Sequence, residues 1–449
     1  MENRLGRTLR VFLVVLAAAG FYRLAVVPWV EPRVRDAAGG LQLSPEEAAA
    51  IRARADRRLA ALAEVFPPGS WEREEPIMLE SRQTRLLFKE YHTLPDGRVN
   101  LVPCTLVVLP DRNRSADAGT GRTLVLRAPR GAVLEFDEPL DLKQGRLAKL
   151  VGGSLRGQVT IRGLPSAPGA EDDIEIVTRD VELDELQVQT VEAVQFRYGR
   201  STGSGRGLVA RLTPRQGPPG QGPNIGGVES IRLDRDVNLR LEGLAGGLLP
   251  GSQAARSADT DAQAAPPVLV SCRGGLCLNV AADVITLEDK VEVVRTGTQS
   301  GTDHLACDLL AILLGRRPQP AAADATSPTA PSGAPAPLQP LEIQAKGTPV
   351  VATSAQAGIE ARAARLGYEI ATRRIVLDGD DPVSLVLKQS EMEARKIDYS
   401  PGPPGSPGTL MAVGPGRLTS RPEQGRPARV RWQQWLRMRP DGEGHVVSI

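Results

Sequence analysis

The sequence predicts an all-β body, and two observations carry that prediction. Apolar and polar residues alternate at period two through most of the chain, and Gly- and Pro-rich turns separate the alternating runs. Val159-Thr160-Ile161-Arg162, Ile174-Glu175-Ile176, Val181-Glu182-Leu183-Asp184 and Val194-Gln195-Phe196-Arg197 each place apolar residues on one face. Ile231-Arg232-Leu233-Asp234, Val237-Asn238-Leu239-Arg240-Leu241-Glu242 and Leu341-Glu342-Ile343-Gln344-Ala345-Lys346 do the same. Successive strand side chains point to opposite faces, so each run describes a strand with one greasy and one wet side. Many such strands fold as sheets over a long apolar interior. That interior is either plain core or a path for lipid.

The elements follow in order. Residues 1–8 read as a cytoplasmic tail with Arg4 and Arg7, and residues 9–30 as a single transmembrane anchor. Val11 to Tyr22 carries no charge, Leu24 to Val27 extends the apolar run past Arg23, and Pro28, Trp29 and Pro32 close it. That length suits a bilayer, with Arg23 able to snorkel and Trp29 placed for the interface. A cleaved signal peptide is the alternative, because Ala17-Ala18-Ala19 offers small residues. Either reading exports the body. Ser44-Pro45-Glu46-Glu47 then opens a short helical stalk, residues 44–66, with Ser as N-cap, Pro at the first position and Glu three residues on. Pro67-Pro68-Gly69 ends it.

β-Structure is expected over residues 75–245, 268–315 and 341–449, the last including a C-terminal tail in which Trp432 to Leu436 reads as a closing strand. A Gly/Ala/Ser-rich linker at 246–267 and a Pro/Ala-rich linker at 316–340 separate the blocks, the second too poor in apolar mass to pack. Two segments read as repeats of one unit. Val284 to Asp289 with Val291 to Val294, and Ile375 to Gly379 with Val383 to Leu387, each read as two strands joined by a short turn, leading to a third strand.

Composition excludes several functions. The net charge is +2 and aromatics make up 3% of residues, so neither a phosphate-seeking field nor a platform for stacking bases or sugars is present, and no nucleic-acid partner is expected. The three His residues, His92, His304 and His445, are far apart, which argues against a His-rich metal site or a Ser/His/Asp triad. The acidic clusters at Glu171 to Asp173 and at Glu135, Asp137 and Glu138 read as solvated turns rather than a glycosidase pair. Gly199 to Gly207 reads as a hairpin turn, since it lacks a P-loop ending. No cofactor, no metal and no catalytic residue is expected.

The residues around Thr178 resemble a known family. Ile176-Val177-Thr178, Val181-Glu182-Leu183-Asp184, Val188-Gln189-Thr190, Val194-Gln195-Phe196 and Ser204-Gly205-Arg206-Gly207-Leu208 follow one another closely. This run resembles the OstA-like and LptC-like proteins of lipopolysaccharide export. Gly358-Ile359-Glu360-Ala361, Leu366-Gly367-Tyr368 and Ile375-Val376-Leu377-Asp378-Gly379 look like the OstA-type repeat, and the single anchor is similar to the LptC-like arrangement. The chain is longer than single-domain members of that family, and its two linkers are extra.

The resemblance implies an elongated open β-jellyroll of OstA-like repeats whose apolar inside shields acyl chains. The partners it implies are lipopolysaccharide or a related glycolipid, an inner-membrane ABC transporter, and other β-jellyroll bridge proteins joined by edge-strand pairing. The place it implies is the inner membrane, single-pass, with the body in the periplasm. Leu183, Val188, Val194 and Phe196 are then expected to line one apolar wall, with Leu124, Leu126, Val159 and Ile161 contributing to the rest. The bland alternative makes these residues ordinary core. Rival classes are an anchored envelope scaffold without lipid transfer and a carbohydrate-active enzyme.

Four cysteines remain: Cys104, Cys272, Cys277 and Cys307. Gly274-Gly275 suits a hairpin turn that would place Cys272 opposite Cys277. Alternatively Val270, Cys272, Gly274, Leu276, Leu278 and Val280 share one face of a continuous strand, the preferred reading. Cys272 and Cys307 then both point inward and form a candidate disulfide, against the alternative of two buried free thiols.

Overall fold

The computed structural model describes residues 60, 62–63, 65–80, 84–109, 123–139, 148–165, 172–214, 225–242, 266–296, 301–316, 338–355, 358–402, 408–421, 427–441 and 444–449. The chain divides into two units, Met1–Glu74 and Glu75–Ile449. In the first, Ala60, Leu62 and Ala63 are helical, and the Phe66 N–H donates to the Leu62 carbonyl at 2.9 Å. Pro67 follows, and a single 3₁₀ turn spans Trp71–Arg73. The expected tail, anchor and most of the stalk lie outside the described residues. Among the described residues no helix is long and apolar enough to cross a membrane.

The second unit contributes 23 strands among the described residues. They are β1 (Ile77–Glu80), β2 (Thr84–Thr93), β3 (Val99–Val108), β4 (Leu124–Ala128), β5 (Ala132–Phe136), β6 (Leu150–Gly163), β7 (Ile174–Asp184) and β8 (Gln187–Tyr198). Then come β9 (Ser201–Pro214), β10 (Ile225–Leu241), β11 (Val268–Cys272), β12 (Leu276–Asn279), β13 (Val284–Thr296), β14 (Thr302–Arg316), β15 (Leu338–Ser354) and β16 (Ile359–Glu369). The last are β17 (Arg374–Leu387), β18 (Ser390–Ser400), β19 (Thr409–Val413), β20 (Gly416–Ser420), β21 (Ala428–Trp432), β22 (Trp435–Asp441) and β23 (Gly444–Ser448). All pairings are antiparallel, and the long strands pair in sequence order as a meander. The ladder continues across both expected linkers, because β10 pairs with β11 and β14 with β15.

A line of bends crosses this sheet. The β6–β7 register skips between Leu155 and Gln158, β7–β8 between Val177 and Glu182, and β8–β9 between Thr190 and Ala193. The skips recur at Arg235/Asn238, Glu288/Val291, Ala306/Leu309, Lys346/Val350, Arg362/Arg365 and Asp378/Val383. Along the same line β4 gives way to β5, β11 to β12, β19 to β20 and β21 to β22. Bulges bend strands and raise their twist. Aspartates supply several of the left-handed residues the bends require, at Asp180 (φ 44), Asp236 (φ 56) and Asp289 (φ 63). Asp180 also accepts the Gly157 N–H at 2.8 Å, tying β7 to β6 at the bend. Inward side chains from both sides of the line pack into common clusters.

These bends correct several expectations. Val284 to Val294 is one strand, β13, and Ile375 to Leu387 lies in one strand, β17, rather than in a pair joined by a turn. Each keeps the same partner on both sides of its polar interlude, so Glu288-Asp289-Lys290 is a bulge. The Gly199 to Gly207 segment is likewise mostly strand: only Gly199-Arg200 turn, and β9 begins at Ser201. Trp432 to Leu436 is not a single closing strand, since it crosses the fold line from β21 to β22. Trp432 and Leu436, 3% and 0% exposed, finish the core at that end.

Candidate functional site: two apolar stripes

Two rows of cross-strand neighbours run along the inward face, one on each side of the fold line. Stripe one passes by direct register from Leu86 through Leu106, Leu126, Ile161, Ile176, Phe196, Gly203 and Leu239. It continues through Val270, Val293, Leu305, Ala352, Ala361, Leu385, Met392 and Leu418. Stripe two passes from Val99 through Leu134, Gly153, Leu183, Val188, Ala210, Ile231, Leu278 and Ile285. It continues through Ile312, Ile343, Tyr368, Ile375, Tyr399 and Leu410. Every residue in both rows is apolar, aromatic or glycine. The period-two alternation of each strand, kept in phase across every bend, produces this continuity.

Burial changes along the stripes. From Val270 to Leu418, stripe one is buried throughout, with Val293 and Leu305 each 1% exposed. From Leu106 to Leu239 it is half-buried. Stripe two is half-buried from Gly153 to Ile285 and closes from Ile312 to Ile375. Both stripes are therefore open together over β7 to β10, at Ile176, Phe196, Gly203 and Leu239 on one side and Leu183, Val188, Ala210 and Ile231 on the other. The two buried clusters also separate there, one ending at Val181 and the other starting at Val194.

Two threonines hold the opening's frame. The β7–β8 ladder lapses between Val177 and Glu182, which frees backbone carbonyls at the bend. The Thr178 hydroxyl donates to the Ala193 carbonyl at 3.1 Å and the Thr190 hydroxyl to the Arg179 carbonyl at 2.7 Å. Thr178 is 2% exposed and Thr190 5%, so these bonds give two buried hydroxyls an acceptor. The threonine positions that carry the family resemblance thus have a defined physical job.

The eight expected wall residues are distributed as follows. Leu126, Ile161 and Phe196 lie on stripe one, and Leu183 and Val188 on stripe two, all half-buried. Val159 and Val194, 0% and 1% exposed, are fully buried beside the fold line. Leu124 lies at the outer limit of stripe one's face, 36% exposed. Ile176, Ala210, Ile231 and Leu239 complete the opening and had no assigned role, although three of them sit in runs whose alternation marks their face.

The cysteines do not pair. Cys272 and Cys307 both face the core, but β13 runs between their strands, with Val291 of β13 directly opposite Cys307. Two strand spacings place their Cα atoms roughly 9.6 Å apart, beyond the reach of a disulfide. The expected Cys272–Cys307 bridge is therefore corrected to two free thiols, as are Cys104 and Cys277. The hairpin alternative also fails, because β11 and β12 run end to end between β10 and β13. Burial pushes the Cys104 and Cys307 thiols up to about 12, so both stay protonated and inert.

No family model and no curated protein matches the chain. Among solved structures it is similar to the crystal structure of LptH, the LptA homologous periplasmic component of the conserved lipopolysaccharide transport device from Pseudomonas aeruginosa, with 15% identity, a TM-score of 0.21, and coverage of 38% of this chain and 96% of that one.

Proposed function

We propose that the protein is a membrane-anchored, periplasm-facing carrier that shields acyl chains of lipopolysaccharide-type glycolipids on their way to the outer membrane. The observation that carries this reading is the simultaneous half-exposure of both apolar stripes over β7 to β10. Acyl chains crossing water expose methylenes at about 0.8 kcal/mol each, and two facing apolar rows remove that exposure. The N-terminal apolar run supports the anchor, and the resemblance around Thr178 supports the class of lipid. An inner-membrane ABC transporter would supply the energy, since the carrier does no covalent chemistry. Other β-jellyroll proteins would continue the path by pairing with β1 or β23, each of which has one partner among the described residues.

A second reading is favoured by the closed half. From Val270 to Leu418 stripe one has the burial of an ordinary core, which suits an anchored scaffold without lipid transfer. Mass spectrometry of lipids that co-purify with the detergent-extracted protein separates the two. Stoichiometric glycolipid supports the carrier, and an empty protein supports the scaffold.

A further inference from the structure

The strands that open inward over β7 to β10 also form a recess on their other side. A cleft of about 710 Å³ lies on the outward face of β7 to β13, within the size range of small-ligand sites. Its centre is one register row of outward residues: Gln195, Ser204, Asn238, Ser271 and Glu292. Gln195, Ser204, Ser271 and Glu292 have no side-chain partner among the described residues. Asn238 spends its amide N–H on the Asp236 carbonyl at 3.2 Å and keeps its oxygen free. The row therefore offers acceptors at every position and donors at all but Glu292. Leu269, 45% exposed, and Val294 add apolar side chains to the adjoining row, and Val177 ends the central one.

Charge narrows the ligand class. The lining holds Glu175 and Glu292 against Arg197 and Arg240, so it has no net charge. Three of those four are already engaged. Arg162 binds Glu175 at 2.7 Å, Arg197 binds Asp173 at 2.8 Å, and Arg240 binds Glu242 at 2.9 Å. The hydrogen-bonded Arg162 holds the Glu175 carboxyl below its ordinary range, so it stays ionised and paired. No unpaired cation is left in the lining to attract a phosphate. The one aromatic residue of the lining, Phe196, has its ring over Gly203 on the inward face, so bases have nothing to stack on. The cleft lies on a sheet face rather than an edge, so a peptide cannot add there as a strand.

We infer that this outward cleft binds a short neutral oligosaccharide. Sugar hydroxyls meet the amides and hydroxyls of the central row, and a sugar C–H face rests on Leu269. The site does not need the lipid reading. If both hold, one glycolipid is served by two faces of the same strands.

The test is saturation-transfer NMR on the full-length protein with maltopentaose, cellopentaose and mannopentaose at about 10 mM, a range suited to millimolar affinities. Saturable transfer to at least one sugar is expected. It should weaken at least about fivefold, ~1 kcal/mol, in the Gln195→Ala/Asn238→Ala double variant. Both residues face outward, so its melting temperature should stay unchanged. Leu183→Asp, on the inward face and outside the cleft's lining, should retain the sugar signal whether or not lipid binding survives. No transfer to any of the three sugars, or a signal indifferent to the double variant, overturns the inference. Binding confined to phosphorylated sugars overturns it as well.

Discussion

The ring of Phe196 lies over Gly203, its cross-strand partner, so closely that a methyl group on Gly203 would stand 2.2 Å from a ring carbon. The aromatic wall of the opening thus depends on a missing side chain one strand away. Gly203→Ala should displace the ring and cost about 1–3 kcal/mol, the usual range for overpacking. Gly203→Ala combined with Phe196→Ala should recover part of that loss in a urea-melting cycle. Additive losses would show that the ring and the glycine are not coupled.

Replacing Thr178 or Thr190 by Val keeps the shape and removes the hydroxyl. The Ala193 or Arg179 carbonyl then loses its donor at the bend, which should cost about 1–3 kcal/mol for each residue. Denaturant midpoints check this, with Thr→Ser expected to restore most of the loss.

The thiols give a pH prediction. Cys307 is held near 12 in the folded protein by burial, above its ordinary value of 9.0. The unfolded chain therefore releases that proton first, and the stability contributed is complete below pH 9 and lost between pH 9 and 12. Stability of the wild type should fall more steeply over that window than stability of Cys307→Ala. Parallel curves would place Cys307 in a wetter site. Non-reduced digests should also contain Cys272 and Cys307 as separate free-thiol peptides.

The strands themselves are legible because alternation reports faces directly, which puts Leu183 and Phe196 on apolar faces, while Val188 enters the wall only through the family resemblance. Bends were less legible. Glu288-Asp289-Lys290 has the composition of a tight turn, and bulges and turns draw on the same left-handed-tolerant residues. Only the partner strand, unchanged on both sides, tells them apart. The disulfide reading failed for a related reason. Cys272 and Cys307 share a face, but face alone says nothing about the strand between them. Ile176, Ala210, Ile231 and Leu239 look like core residues in isolation. Their exposure depends on where the two buried clusters stop, which is a property of the assembled sheet.

The central claim is that stripe one is open at β7 to β10 and closed from β11 onward, and two aspartate variants test it together. Phe196→Asp places a carboxylate on the open stretch, where it reaches water. Val293→Asp places one on the same stripe where the wild-type side chain is 1% exposed, and should cost roughly 4 kcal/mol or more. Thermal melting and photo-cross-linking to native lipid are measured for both. The account predicts that Phe196→Asp melts near wild type while losing most of its cross-linked lipid, and that Val293→Asp unfolds. Phe196→Asp unfolding like Val293→Asp, or keeping its full lipid yield, would contradict it.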